Sequence, residues 1–140
     1  MQLTRSRIAE LIPHGSNMCL LDEVMDWTLD VILCRSTQFA TSTNPLFENN
    51  QLDSILLIEY CAQGAAVHAG LLQSSLGVRR PALIGAVKNI ELVKPFAVNN
   101  CAIDITAECL LNSSKGAIYE VAAAQNGEVL MRGRLILNQP

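Results

Sequence analysis

Aromatic residues and charge are both scarce in this chain: one Trp, two Tyr and three Phe among 140 residues, and only 16% Asp, Glu, Lys and Arg. The net charge is −3 and the Lys and Arg are scattered, so there is no basic face for phosphates and nucleic-acid binding is set aside. Cysteine occurs without a metal-binding pattern. Cys19, Cys34, Cys61, Cys101 and Cys109 are odd in number and form no CxxC pair, which makes buried reduced thiols the simplest account. A phosphate loop, a nucleophile elbow and a metal-ligand set are all missing, so no cofactor is expected. The opening MQLTRSRIAELIPHG lacks the apolar core and cleavage site of a secretory signal, and a cytoplasmic location is expected. Repeats, low-complexity tracts and long linkers are also missing. With half the residues hydrophobic, residues 1–140 are expected to fold as one domain with a real core.

What the chain does have is one long apolar run, residues 52–72, LDSILLIEYCAQGAAVHAGLL. It reads as a helix apolar on nearly every side, and such a helix is buried. Ala62, Gly64, Ala65, Ala66, Ala69 and Gly70 would let neighbouring backbone come close, and a mid-helix glycine that costs about 1 kcal/mol points to tight packing. Asp53 or Ser54 is the candidate N-cap. The length would suffice for a membrane span, but Asp53, Glu59, Gln63 and His68 argue against one.

Glu59 stands out in this run. Removing an ionised carboxylate from water raises its pKa, and a carboxyl held near neutrality can give or take protons. The competing reading is a structural glutamate hydrogen-bonded to Gln63, one turn further on the same face. His68 lies nine residues after Glu59, about 13.5 Å along the axis and on the opposite side, so the two cannot meet within one helix. It reads as a satisfied histidine near the helix end or a dimer contact, and Tyr60, Gly64 and His68 form a packing seam.

Around this helix the sequence predicts mostly strands. Residues 4–12 form a short helix capped at Thr4 and stopped by Pro13; residues 18–27 and 30–40 alternate as strands; residues 41–50, TSTNPLFENN, are turn formers leading into the long helix. Further strands are expected over 82–94, 101–112, 117–125 and 129–138, with Asn126-Gly127 as a type I′ hairpin turn. One buried helix and about six antiparallel strands imply an α+β domain whose curved sheet wraps the helix. An edge strand of such a sheet invites pairing with a second copy, so a dimer is expected.

Three stretches resemble a known family. Leu11-Ile12-Pro13-His14 followed by Met18, Leu20, Leu21, Asp22 and Val24, then Ile58-Glu59-Tyr60-Cys61-Ala62-Gln63, and KNIELVKPFAVNN at 88–100 are similar to motifs of the hot-dog-fold 3-hydroxyacyl-(acyl carrier protein) dehydratases. With His68-Ala69-Gly70 the resemblance is closer to the dehydratase-like proteins of aryl polyene pigment clusters. It implies a hot-dog domain, an acyl carrier protein bearing a phosphopantetheine-linked acyl chain as partner, and elimination of water from a 3-hydroxyacyl thioester. Glu59 falls on the family's acidic catalytic residue. The family's loop histidine, its usual base, is absent, and Asn50 falls near its place; an amide can position substrate or water but cannot titrate near neutral pH. His14, between a proline and a glycine, becomes the candidate base or substrate positioner. Amides near Ile55 and Leu56 are candidates for polarising the thioester carbonyl, Gln63 and Met18 for contacting substrate, and Arg79 and Arg80 for meeting a carrier phosphate. Two other functions fit the same fold: an acyl thioesterase, and a non-catalytic acyl-binding subunit of a heteromeric dehydratase. The chain is expected to form a homodimer or a hetero-oligomer with another hot-dog subunit.

Overall fold

The computed structural model describes residues 2–12, 19–41, 43–75 and 83–138. Its elements in chain order are β1 (Leu3–Thr4), α1 (Arg5–Leu11), β2 (Glu23–Trp27), β3 (Val31–Ser36), a 3-10 turn (Ser54–Leu56), α2 (Leu57–Ser75), β4 (Leu83–Leu92), β5 (Ile103–Ser113), β6 (Gly116–Gln125) and β7 (Glu128–Asn138). The strands form one seven-stranded sheet in the order β1-β2-β3-β5-β6-β7-β4, with every pairing antiparallel.

Helix α2 lies in the concave face of this sheet because it has no face that prefers water. Leu57, Tyr60, Cys61, Ala65 and Val67 are fully buried against Ile32, Cys34, Ile105, Ala107, Tyr119 and Ala123 of the strands. Each large side chain so buried contributes about 1.5–3 kcal/mol of apolar transfer. The expected close approach at Gly64 is present: a Cβ there would stand 3.2 Å from Ile105 Cγ2, inside ordinary contact distance. The segment 54–73 is long and apolar enough to cross a bilayer by composition alone, yet it is the core around which this sheet curves.

Several boundaries differ from the sequence reading. The sheet gains β1, two residues paired with β2, in a place read only as a helix cap. Two residues are too few to leave a periodic signal. The strand expected over 18–27 begins only at Glu23, and the one over 30–40 ends at Ser36. Thr4 precedes α1 with extended backbone but makes no side-chain cap bond, and Asp53 does likewise before the 3-10 turn. Backbone replaces that cap: the Ser54 N–H donates to Pro95 O (2.8 Å) and the Ala97 N–H to Leu52 O (3.0 Å), so the helix start is sewn to the segment after β4.

The β6–β7 hairpin turns at Asn126 (φ 50°) and Gly127 (φ 78°), the left-handed pair a type I′ turn requires, as expected. Strand β4 runs along the sheet edge. It pairs only with β7 among the described residues, it is bulged between Lys88 and Glu91 around left-handed Asn89 (φ 55°), and it exposes Ile84, Val87 and Leu92.

Candidate functional site

Glu59 sits in the first turn of α2, where the positive end of the helix macrodipole favours a carboxylate. It is half-buried, not sealed in the core, and shares the helix start with half-buried Leu56 and Ile58 and exposed Ile55. The Leu56 N–H already donates to Asp53 O (3.0 Å). Ser54, one residue before Ile55, is fully buried and its hydroxyl has no partner among the described residues; the sequence reading considered it only as a cap.

Gln63, one turn beyond Glu59, is buried, and its Oε1 accepts the Leu20 N–H at 2.8 Å. That bond ties residues 19–22 to the helix. The same residues are held from two other sides: Arg5 donates to Cys19 O and pairs with Asp22 (3.0 Å), and the Asp22 N–H donates to Arg35 O (2.9 Å). Asp22 Oδ2 accepts in turn from the Thr37 amide and hydroxyl and from the Gln38 amide. This polar anchoring explains why 19–22 is not part of a strand despite its apolar residues. His14 and Met18, and also Arg79 and Arg80, lie outside the described residues.

Asn50 is exposed in a tight turn closed by Glu48 N–H to Gln51 O (3.1 Å) and Gln51 N–H to Glu48 O (3.0 Å). Asn49 (φ 54°) and Asn50 (φ 60°) are both left-handed there, and asparagine is among the few residues that adopt this backbone readily. Asn99 Nδ2 donates to Asn50 O (3.0 Å) and holds the turn against the loop before β5. The Asn-Asn pair was a visible signal for this turn, although the sequence reading used it only as a generic turn former.

At the other end of the helix His68 is fully buried, as a satisfied histidine should be. Its Nε2 is 2.7 Å from Thr28 O, which can only accept, so Nε2 carries the proton and Nδ1 accepts from the Tyr119 hydroxyl at 2.7 Å. Burial pushes its pKa below the ordinary value and outweighs the raising influence of the Thr28 carbonyl and of Asp30. Trp27 and Tyr119 meet the imidazole edge to face. The five cysteines are free; burial raises the Cys34 thiol to about 12 and raises Cys61 further, so these two are inert packing groups. Among the described residues no group of three or more His, Cys, Asp or Glu could hold a metal ion.

Two cavities are described. One, of about 260 Å³, is bounded by Arg5, Asp22, Gln38, Thr43, Asn44 and Tyr60 among others. Another, of about 160 Å³, lies between the segment after β4 and the β6–β7 turn, beside Phe96, Val98 and Cys101. Glu59 lines neither of these two. The Asn44–Tyr60 hydrogen bond beneath the first was missed in the sequence, where Asn44 was one polar residue in a run of turn formers.

A curved antiparallel sheet closed around one long central helix is the hot-dog fold. The family model for ApeP-like proteins, described as ApeP dehydratase, matches residues 6–140, and the chain belongs to that family. Among solved structures, the dehydratase heterocomplex ApeI:P from Xenorhabdus doucetiae matches with a TM-score of 0.86 at 23% identity, covering 99% of this chain and 91% of that one. A hypothetical thioesterase with coenzyme A from Streptococcus pneumoniae matches with a TM-score of 0.63 at 9% identity over 84% of each chain. The PaaI protein from the phenylacetic acid degradation operon of E. coli matches with a TM-score of 0.63 at 13% identity, over 83% of this chain and 81% of that one. At these identities the likeness is one of fold. Compared with curated proteins, the sequence has no significant match.

Proposed function

We propose that this chain takes part in dehydrating 3-hydroxyacyl thioesters held on the phosphopantetheine arm of an acyl carrier protein, in the cytoplasm and together with a second hot-dog subunit. The observation that carries this reading is the dehydratase-family match over 6–140 combined with Glu59 in the first turn of the central helix. In the reaction a base removes the C2 proton and the freed electron pair forms the C2–C3 double bond. The C3–O bond breaks, and the departing hydroxyl takes a proton to leave as water. Glu59 is the proton donor, a role supported by its half-buried place at the start of the central helix, next to Ile58 in the stretch that resembles the family's motif. His14 of one subunit is the base. The Ile55 amide polarises the thioester carbonyl, aided by the helix dipole, while negative charge gathers on its oxygen. Asn50 orients the acyl chain or a water, and Met18 lines its path. Gln63 holds residues 19–22 in place through the Leu20 amide.

The exposed edge of β4 supports pairing with another hot-dog chain, since it combines Ile84, Val87 and Leu92 with strand backbone that has no second partner strand among the described residues. A second reading, in which this chain binds acyl groups without catalysing and a partner supplies proton transfer, is favoured by the match to a solved dehydratase heterocomplex; the sequence resemblance, which puts Asn50 where the family has its loop histidine, agrees with it.

The test is conversion of a 3-hydroxyacyl carrier thioester to the enoyl form, followed by ultraviolet absorbance, with this chain alone and mixed with a candidate hot-dog partner. The proposal expects enoyl formation that Glu59→Gln removes without unfolding the protein. Activity in the mixture that survives Glu59→Gln would establish the accessory reading. Release of free thiol without enoyl product would make the protein a thioesterase.

A further inference from the structure

Edge strand β4 keeps its inner face bare and one charge on its outer face unanswered. Ile84, Val87 and Leu92 stand opposite Leu137, Leu135 and Met131 of β7, and opposite residues of an antiparallel pair share a face. The β7 residues are buried on the concave side, yet their β4 neighbours are 42%, 40% and 49% exposed, because α2 packs against β3, β5 and β6. Ile90 lies on the same side, with its Cδ1 in the space that a Cβ on Gly133 would need. The outer face of β4 holds Ala86, Lys88 and Glu91, opposite Ile136, Arg134 and Arg132. Glu91 pairs with Arg132 at 3.7 Å, and Arg134 is taken up by Glu120. Lys88 is exposed, makes no ion pair among the described residues, and has the cation Arg134 as its cross-strand neighbour. No Asp or Glu occurs outside the described residues to supply one.

That charge bears on which strand can pair with this edge. If β4 met its own copy across a two-fold axis, opposite residues would have to share a face, so the axis would fall on a residue of the regular stretch 86–88. Centred on Ala86, outward Lys88 would stand opposite inward Ile84; centred on Lys88, outward Ala86 would stand opposite inward Ile90. Val87 is the centre that keeps every face matched: Ala86 opposite Lys88 and Ile84 opposite Ile90. The two Lys88 are then diagonal neighbours, about 7–8 Å apart, each with Arg134 on its other side, and like charges so placed repel. A lysine on an edge strand is a recognised device against self-pairing. We propose that β4 receives a strand of a different hot-dog chain that carries Asp or Glu on its outer face, opposite or diagonal to Lys88, and that Lys88 makes a second copy of this chain the poorer partner. This rests on the pairing of the β4 edge put forward above and adds what selects the partner.

The chain itself serves as probe in analytical ultracentrifugation: parent, Lys88→Met and Lys88→Glu each alone, and parent with Lys88→Glu as an equimolar mixture. Lys88→Met should self-associate about threefold more tightly than the parent, and the mixture should dimerise about fivefold or more tightly than the parent, the factors carried by relieving a like-charge cross-strand pair and by replacing it with an opposite one. Salt at about 0.5 M should shrink both differences, because exposed charges are screened. Circular dichroism should be the same throughout, since residue 88 is exposed. Val87→Asp in both chains of the mixture should abolish the dimer. A dimer that survives Val87→Asp would place the pairing edge elsewhere and overturn the reading on which this one rests. A dimer that Val87→Asp removes, but whose Kd is the same with Lys, Met or the Lys and Glu mixture at position 88, would overturn the selection by charge alone. A parent that dimerises as tightly as the mixture, or a mixture that stays monomeric, would overturn it as well.

Discussion

Replacing His68 by leucine tests how the far end of the central helix is held. The imidazole is fully buried and makes two bonds of 2.7 Å, one to Thr28 O and one with the Tyr119 hydroxyl. His68→Leu removes both and leaves the buried Tyr119 hydroxyl without that partner, whereas the carbonyl of exposed Thr28 can turn to water. At about 1–3 kcal/mol for a buried group left unsatisfied, the expected loss is about 1–3 kcal/mol. Urea unfolding followed by circular dichroism at fixed protein concentration should show a lower midpoint with an unchanged slope. The pH dependence gives an independent signature. His68 is held neutral in the fold with its pKa below the ordinary 6.5. Above that value neither state is protonated there. As pH falls through it the unfolded chain takes up a proton that the folded chain refuses, so stability is lost from about pH 6.5 down towards the lowered folded value, by at most about 1.4 kcal/mol per pH unit. His68→Leu should flatten that slope. A variant as stable as the parent at pH 7.5, or an undiminished slope between pH 6.5 and 5.5, would refute the reasoning.

Gln63→Leu leaves the Leu20 N–H without its acceptor and should destabilise by about 1–3 kcal/mol, read from the same urea transition. Gly64→Leu forces side-chain atoms into a space where even a Cβ stands 3.2 Å from Ile105 Cγ2; a loss of about 1–3 kcal/mol is expected by thermal melting. Val87→Asp places a charge on the exposed edge of β4 and should leave the isolated chain folded while abolishing co-elution with a hot-dog partner in size-exclusion chromatography.

The parts of this fold that were legible in the sequence are those written in local periodicity or turn chemistry. Residues 52–72 announce a buried helix because no side of them is polar, and Asn126-Gly127 announces a hairpin because both residues must be left-handed. What escaped is set by distant contacts. Strand β1 exists because Leu3 and Thr4 find β2, and residues 19–22 leave the sheet because Gln63 and Arg5 hold them, 43 and 14 positions away in sequence. The helix start carries no side-chain cap because Pro95 and Leu52 complete it through backbone. The site was legible only in part. Glu59 stands out as a candidate by its isolation in an apolar run, but its half-exposed setting at the helix start is not legible there, because burial depends on how far the sheet reaches over that end. The Asn44–Tyr60 pair was illegible for a further reason: 16 positions and an irregular loop separate the partners.

The most direct measurement is enoyl-thioester formation by the chain mixed with a candidate hot-dog partner, compared between the parent and Glu59→Gln at equal folded concentration. Loss of enoyl product on this single exchange of carboxyl for amide is the expected result. Undiminished product with Gln at that position would contradict the assignment of Glu59 as proton donor and leave the chain as an acyl-binding companion.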